Sequence, residues 1–315
     1  MSEAGMAVQA MEARERRRKE RRSFFRFAAA AAVTAPIAMT IGGKPINAQS
    51  AVSDADILNF ALNLEYLEAQ FYVFAVTGAG LSNDLLTGTG TRGEATGGRA
   101  VPFQDSLVQQ YAREIANDER EHVRFLRTAL GGATVAQPAI DISANPNGAF
   151  SNAARAAGLI TAGQSFDPYA NENNFLLAAY IFEDVGVTAY KGASPLITNK
   201  TFLEAAAGIL AVEAYHSALV RTVLFRRGIQ TPALIDATEA ISNARDSLDG
   251  ADDRDQGIRP IGDQSNIAPL DANGLAYSRS AGQVLNIVYL NRMAVTAGGF
   301  FPNGVNGTIR TSAAN

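Results

Sequence analysis

The segment Glu119-Arg-Glu-His122 places a carboxylate and an imidazole three residues apart, and Glu213-Ala-Tyr-His216 repeats the same spacing. These segments hold the two histidines of the 315-residue chain, so both histidines follow a glutamate at the same offset. On an α-helix, residues i and i+3 share a face. Each segment is therefore predicted to direct one carboxylate and one imidazole toward a common point.

Two further segments carry a glutamate without a histidine, and they match each other in register. Glu65 lies in a segment rich in Leu, Ala and Tyr, and Glu183 lies in a similar apolar segment. Tyr72 and Tyr190 each follow seven residues later, about two helical turns along the same face. The alternation of a lone Glu with Glu-x-x-His, seen twice, indicates a duplicated helical hairpin.

This pattern predicts a dinuclear metal site inside a four-helix bundle. Such sites use one Glu from each of two helices and a Glu-x-x-His pair from each of the other two. Buried carboxylates need a partner or a metal, and these lie among apolar residues. The alternative is that each Glu-x-x-His lies on a solvated face, or that each histidine is a core residue without metal. The predicted ligands are Glu65, Glu119, His122, Glu183, Glu213 and His216.

A second glutamate on the first helix, Glu68, competes with Glu65 as a ligand. Its counterpart in the repeat is Gly186, which cannot bind a metal, so the repeat favours Glu65 and Glu183 as the symmetric pair. Tyr72 and Tyr190 are candidates to hydrogen-bond the lone glutamates from outside the ligand set. The alternative for these tyrosines is simple packing, with each hydroxyl bonded to any nearby acceptor.

Apolar residues recur at spacings of three and four along four segments of the chain, which predicts four helices. Ser53 or Asp54 is the predicted cap of the first helix, and Gly192 with Pro195 is predicted to close the third. The short gap between the third and fourth helices predicts that they are antiparallel neighbours. The predicted helices span residues 54–77, 105–130, 171–191 and 199–227.

The remaining segments predict long loops and a C-terminal extension. Residues 78–103 are rich in glycine, and residues 133–170 read as a long connection. A fifth helix is expected from Thr231 to about Gly250, and a short one within residues 280–289. The Phe pair of the glycine-rich tail is expected to pack on the bundle. The predicted fold is an all-α four-helix bundle, residues 51–228, with a C-terminal extension, residues 229–315.

The sequence of residues 1–50 indicates an export signal that is not part of the folded domain. Arg21-Arg-Ser-Phe-Phe-Arg26 precedes an alanine-rich apolar stretch that ends near Ala38 and is too short to span a membrane. This resembles a twin-arginine signal, with cleavage expected near Ser50 and a periplasmic or extracellular location. A basic amphipathic helix or an uncleaved anchor is the alternative.

The composition of the remaining chain excludes several classes of partner. Removing residues 1–50 takes away nine of the 27 Lys and Arg and four of the 31 Asp and Glu, which leaves a net charge of −9. That charge argues against nucleic acid and anionic membrane surfaces as partners. The chain has no cysteine, so disulfides, thiolate chemistry and Fe–S clusters are excluded.

The helix sequences, their order and the tail resemble the ferritin-like domain family that includes desiccation-related proteins of plants and bacteria. The resemblance covers residues 51–310. It is carried by the segment around Glu65, by Glu119-Arg-Glu-His122, by the helix of Glu183 and by the Phe-Phe-Pro tail. Ferritin, bacterioferritin, rubrerythrin and manganese catalase share the ligand motifs. The resemblance implies a ferritin-like bundle and its metal ligands, but not a reaction.

A carboxylate-rich site with imidazoles suits Fe(II) first and Mn(II) as the alternative. Two such ions can exchange two electrons with O₂ or H₂O₂. The leading expectation is an exported di-iron oxidase or peroxide-detoxifying protein in oxidative or desiccation stress. The alternatives are a dimanganese catalase, which needs no external reductant, and a structural protein with a structural metal site. The long loops indicate control of access to the site or a homo-oligomer contact.

Overall fold

The computed structural model describes residues 52–315, so the predicted export signal and its cleavage site lie outside the described residues. Within that range the chain forms seven α-helices and two short strands. The helices are α1 (Asp54–Thr77), α2 (Ser106–Leu130), α3 (Ala149–Ala156), α4 (Glu172–Ala193), α5 (Lys200–Gly228), α6 (Pro232–Asp249) and α7 (Ala281–Val288). The strands are β1 (Ala95–Thr96) and β2 (Ile140–Asp141), which pair in parallel.

Side-chain caps set where the bundle helices begin. Ser53 and Asp56 form a capping box at the start of α1, in which each side chain accepts a hydrogen bond from the other's backbone N–H. At the other end, Gly78 adopts the left-handed conformation with φ of 78° and donates its N–H to the Phe74 carbonyl. Asp105 caps α2, and asparagines cap α4 and α5. These positions agree with the predicted helix starts.

Two details of the predicted helix plan are wrong. Gly192 does not end the third helix, because α4 continues to Ala193 and a 3₁₀ turn follows. A Cβ atom at Gly192 would lie 1.9 Å from the Arg279 carbonyl oxygen, so this glycine permits a close backbone approach instead. The predicted connection over residues 133–170 contains β2 and the alanine-rich helix α3.

Two helical hairpins build the bundle, as the repeat predicts. α1 packs along α2, α4 packs along α5, and α1 also contacts α4. The short 194–199 connection makes α4 and α5 antiparallel. Among the described helices, α5 alone is long and apolar enough to cross a membrane, yet it forms one wall of this bundle.

α1 and α4 are buried on nearly all sides, whereas α2 and α5 expose an outer face. The outward surfaces of α1 and α4 are covered by the loops and the C-terminal extension. Phe300 of the tail is fully buried, and its ring centroid lies 5.1 Å from that of Phe150 and 5.0 Å from that of Phe182. Phe300 of the tail thus packs against α3 and α4.

A buried ion network fastens the C-terminal extension to the second hairpin. Asp184 of α4 accepts hydrogen bonds from Arg221 of α5 and Arg245 of α6, both at 2.9 Å. Arg245 also binds Asp255, which in turn accepts a bond from Arg279 at 2.7 Å. All five side chains are buried. Burial alone would raise the pKa of Asp184, but the two arginines lower it below its usual range.

We expect Arg245→Met to destabilise the fold strongly. Removing one partner of a buried ion pair leaves uncompensated charge, here on Asp184 and Asp255, and such losses cost about 3–5 kcal/mol. Urea unfolding followed by circular dichroism measures the change. The matched control is Arg259→Met, since Arg259 forms an exposed ion pair with Asp236. Equal midpoints for the two variants would contradict a structural role for the buried network.

Candidate metal centre

The four bundle helices bring the six predicted ligands together around one buried point. Two overlapping groups form, and within each group one ligand atom per residue lies within 4.8 Å of the others. Glu119 of α2 belongs to both groups, so its two oxygens face both halves of the site. The first group is Glu65, Glu119, His122 and Glu213, and the second is Glu119, Glu183 and His216.

Each histidine points its Nδ1 atom into the centre. His122 Nδ1 lies 3.1 Å from Glu65 Oε2, 3.4 Å from Glu119 Oε2 and 3.8 Å from Glu213 Oε1. His216 Nδ1 lies 2.9 Å from Glu119 Oε1 and 3.6 Å from Glu183 Oε2. The ring centroids are 6.3 Å apart. The two imidazoles thus flank the shared carboxylate from opposite sides.

Several polar atoms of this cluster are buried and lack a hydrogen-bond partner among the described residues. They are both oxygens of Glu119 and Glu213, Oε2 of Glu183 and Nδ1 of His216. His216 Nδ1 is close to Glu119, but the angles are not those of a hydrogen bond. Buried orphan groups are costly unless a partner or an ion satisfies them. Four carboxylates and two imidazoles therefore fit a pair of divalent cations, and the cluster and fold indicate a dinuclear site.

Burial raises the pKa values of the two lone glutamates. The pKa of Glu65 rises to about 7, although the nearby His122 opposes the shift. The pKa of Glu183 rises to about 8 against the opposing effect of His216. Glu213 has a pKa well above its usual range, first because of burial and then because of the neighbouring carboxylates.

The pKa values of Glu119 and of the two imidazoles shift in the direction opposite to the shift that burial alone would cause. Burial would raise the pKa of Glu119, but His122 and His216 lower it far below its usual range. Burial would lower the pKa of His216, yet Glu183, Asp118 and Glu119 raise it to about 10. The pKa of His122 is also raised well above its ordinary value. Without metal, two imidazolium ions therefore offset part of the negative charge.

The two candidate tyrosines hydrogen-bond the lone glutamates crosswise. Tyr72 of α1 donates its hydroxyl to Glu183 Oε1 of α4, and Tyr190 of α4 donates to Glu65 Oε1 of α1. All four side chains are buried. This crosswise pairing shows that α1 and α4 run antiparallel, because Glu65 lies opposite Tyr190 and Tyr72 lies opposite Glu183. Each hydroxyl leaves the second oxygen of its glutamate directed at the centre.

Asp118 holds one of the two imidazoles from outside the centre, which the sequence reasoning missed. Its Oδ2 lies 3.3 Å from His216 Nε2, the nitrogen that faces away from the cluster. Such a contact orients the ring and leaves Nδ1 free to bind a cation. The one indication of this contact in the sequence is that Asp118 directly precedes Glu119 on α2. Val212 occupies the equivalent position in the repeat, so the contact has no carboxylate counterpart there.

Glu68, the competing ligand, lies beside the centre but outside both groups. Its side chain is buried, and it faces the α4 backbone at Gly186. The structure thus brings Glu65 and not Glu68 into direct contact with His122. The preference for Glu65 over Glu68 as a ligand therefore stays a prediction.

Comparison with known proteins places the same residues in a described family. Residues 53–226 match the ferritin-like domain family. The chain is 30% identical over 272 residues to the ferritin-like catalase Nec2 of Nesocodon mauritianus, covering 82% of this chain and 85% of that protein. It is also 30% identical over 275 residues to the desiccation-related protein PCC13-62 of Craterostigma plantagineum, covering 81% and 83%. No solved structure gives a significant match.

We expect the metal-free protein to lose stability as the pH rises from about 6 to 9. The folded pKa values of His216 and Glu183 are raised, so the folded state binds more protons than the unfolded state. For His216 this contribution is complete below pH 6.5 and is lost as the pH rises through about 10. Metal should reverse the trend, because bound ions require deprotonated ligands.

Urea unfolding at three pH values in this range measures how the free energy of unfolding changes with pH, for chelator-treated and for Mn(II)-loaded protein. A metal-free protein that becomes more stable toward pH 9 would contradict the protonated state assigned to the imidazoles.

Proposed function

Because the chain belongs to the ferritin-like domain family, we propose that it is a dinuclear metal protein that decomposes hydrogen peroxide in oxidative or desiccation stress. The observation that carries the proposal is the buried cluster of four glutamates and two histidines around a shared carboxylate. The relatives named as a ferritin-like catalase and a desiccation-related protein support the reaction and the setting.

The ligand assignment follows the two groups of side chains. One ion would be held by Glu65, Glu119, His122 and Glu213, and the other by Glu119, Glu183 and His216. The four carboxylates carry four negative charges, which matches the charge of two divalent cations. The side chains are carboxylates and imidazoles without sulfur, which suits manganese or iron.

Decomposition of peroxide is balanced without an outside reductant. Reduction of one H₂O₂ to two H₂O takes two electrons and two protons, and oxidation of a second H₂O₂ to O₂ returns both. Two bound ions, each able to change its oxidation state by one, would supply and recover these electrons. A di-iron oxidase, the leading expectation from the sequence, needs an electron donor as well. We therefore place catalase activity with manganese first and the di-iron oxidase second.

The surrounding side chains hold the ligands in place during such a cycle. Tyr72 and Tyr190 fix one oxygen of each lone glutamate, and Asp118 fixes the His216 ring. The ligand side chains are buried, so bulk water has little access to the reacting centre. Low dielectric surroundings strengthen the interaction between the carboxylates and bound cations.

We expect His122→Ala and His216→Ala each to retain the fold and lose peroxide decomposition. All four carboxylates remain to hold cations, but the geometry and ligand charge at one ion change, so the rate should fall on the order of 10–100-fold or more. O₂ release from H₂O₂ without added reductant, metal content and helix content are measured on Mn(II)-loaded and Fe(II)-loaded protein.

The matched control is Glu114→Ala, which removes an exposed carboxylate from the same helix as Glu119. Fully loaded wild-type protein that releases no O₂ from peroxide would overturn the catalase proposal. Oxygen-dependent Fe(II) oxidation by that protein would then favour the oxidase, and the absence of both activities would favour a structural metal site.

We also propose that the chain is exported by the twin-arginine route, which carries folded and metal-loaded proteins. The support is the Arg21-Arg22 pair ahead of a short apolar stretch. Replacing both arginines with lysine should leave the unprocessed precursor in the cytoplasm, measured by cell fractionation and intact mass. Lysine substitutions at Arg16 and Arg17 serve as the control. Normal export of the Arg21/Arg22 variant would exclude this route.

A further inference from the structure

Glu68 is a buried carboxylate with no hydrogen-bond partner among the described residues. Its side chain is 6% exposed. It lies on α1 one turn after Glu65, and on its other side it borders an apolar cavity of about 20 Å³, lined by residues such as Phe182, Val185 and Phe300. A cavity of that size holds about one water molecule. Burying an unpaired carboxylate in such surroundings is costly, so the position demands an explanation.

Gly186, the repeat counterpart of Glu68, makes room for the Glu213 carboxylate of α5. A Cβ atom there would lie 2.2 Å from Glu213 Oε2 and 3.5 Å from Glu68 Oε1. Both carboxylates therefore face the same stretch of α4 backbone. Gly186 is helical and does not have a positive φ, so its backbone conformation does not require glycine. The missing side chain is instead required by the Glu213 carboxylate, and Glu68 lies next to the same position.

A count of the charges in the centre gives Glu68 a role as a fifth carboxylate. The four proposed glutamate ligands balance two divalent ions. Oxidising one ion from +2 to +3 adds one positive charge, which a fifth carboxylate in the same low-dielectric region balances. The charges of Glu65, Glu119, Glu183 and Glu213 are already matched by the two divalent ions. Asp118 also lies beside the centre, 3.3 Å from His216 Nε2, but its side chain is partly exposed and solvent screens its charge.

We propose that Glu68 is a fifth carboxylate of the dinuclear centre and that its charge favours the oxidised ions over the reduced ones. This inference rests on the dinuclear metal binding proposed above. It assigns Glu68 a positioning and electrostatic role, distinct from the six residues that form the two ligand groups. The oxidant would be one H₂O₂, which is reduced to two H₂O, and the ions would recover the two electrons from a second H₂O₂, which is oxidised to O₂.

The test is Glu68→Gln, which keeps the size of the side chain and removes its charge. Wild-type and variant proteins are loaded anaerobically with Fe(II), metal content is measured, and the midpoint potential is determined by redox titration followed by electron paramagnetic resonance. We expect Glu68→Gln to hold two ions with a midpoint potential higher than that of wild type. Glu68→Asp should return the potential toward the wild-type value, because it restores the charge.

The control is Glu204→Gln, which removes an exposed carboxylate from α5 and should leave the potential unchanged. The metal-free Glu68→Gln protein should melt no lower than metal-free wild type, since the carboxylate has no partner there. A variant that holds two ions at the wild-type potential overturns the proposal. So does a variant that is destabilised equally with and without metal, because that result indicates a purely structural residue.

Two remaining outcomes are also decisive. If Glu68→Gln binds fewer than two ions while Glu68→Asp binds two, Glu68 is required as a carboxylate for metal retention, which supports the fifth-carboxylate assignment. If wild-type protein itself does not bind two ions, the proposed dinuclear function fails, and that failure is distinct from any difference between the variants.

Discussion

Mutual repulsion among four buried carboxylates is the constraint on which the rest of this structure depends. Glutamates from all four bundle helices meet at a point where water is scarce and the dielectric constant is low, so their repulsion is large. The two imidazoles relieve part of it, and Glu119 benefits most because it lies between them. Bound cations would relieve the remainder. The bundle interior is therefore arranged for charge balance, and apolar packing has to be concentrated elsewhere.

The apolar packing is concentrated around α1 and α4, and hydrogen bonds from two arginines reinforce it. Arg127 and Arg221 occupy equivalent positions in the repeat, each five residues after a histidine of the site. Arg127 donates to the Tyr66 hydroxyl at 2.6 Å, and Arg221 donates to Asp184 at 2.9 Å. Tyr66 and Asp184 each directly follow a lone glutamate. In both hairpins, an arginine on the Glu-x-x-His helix thus binds the side chain of the residue that follows the lone glutamate of the partner helix.

The clustering of the six glutamate and histidine side chains could be predicted from sequence because it depends on helical periodicity and on the repeat. The tyrosine hydrogen bonds required one more fact, the antiparallel arrangement of α1 and α4, and so their crosswise partners were not foreseen. The contacts of Asp118 and Gly186 depend on which residues of neighbouring helices lie opposite each other. A pattern within one helix does not reveal this. Gly192 was misread for the same reason, since its neighbour Arg279 is 87 residues away in sequence.

The same nonlocal contacts show where the duplication is not symmetric. A perfect repeat would make the two proposed ion positions equivalent. Instead Asp118 holds His216, whereas Val212 stands at the matching position, and Glu68 lies next to its repeat counterpart Gly186. The His216 side has a fixed imidazole and fewer carboxylates, and the His122 side has more negative charge. Two ions in this centre would therefore experience different fields. Such a difference allows one ion to change oxidation state before the other, which suits a two-electron reaction that proceeds through two one-electron centres.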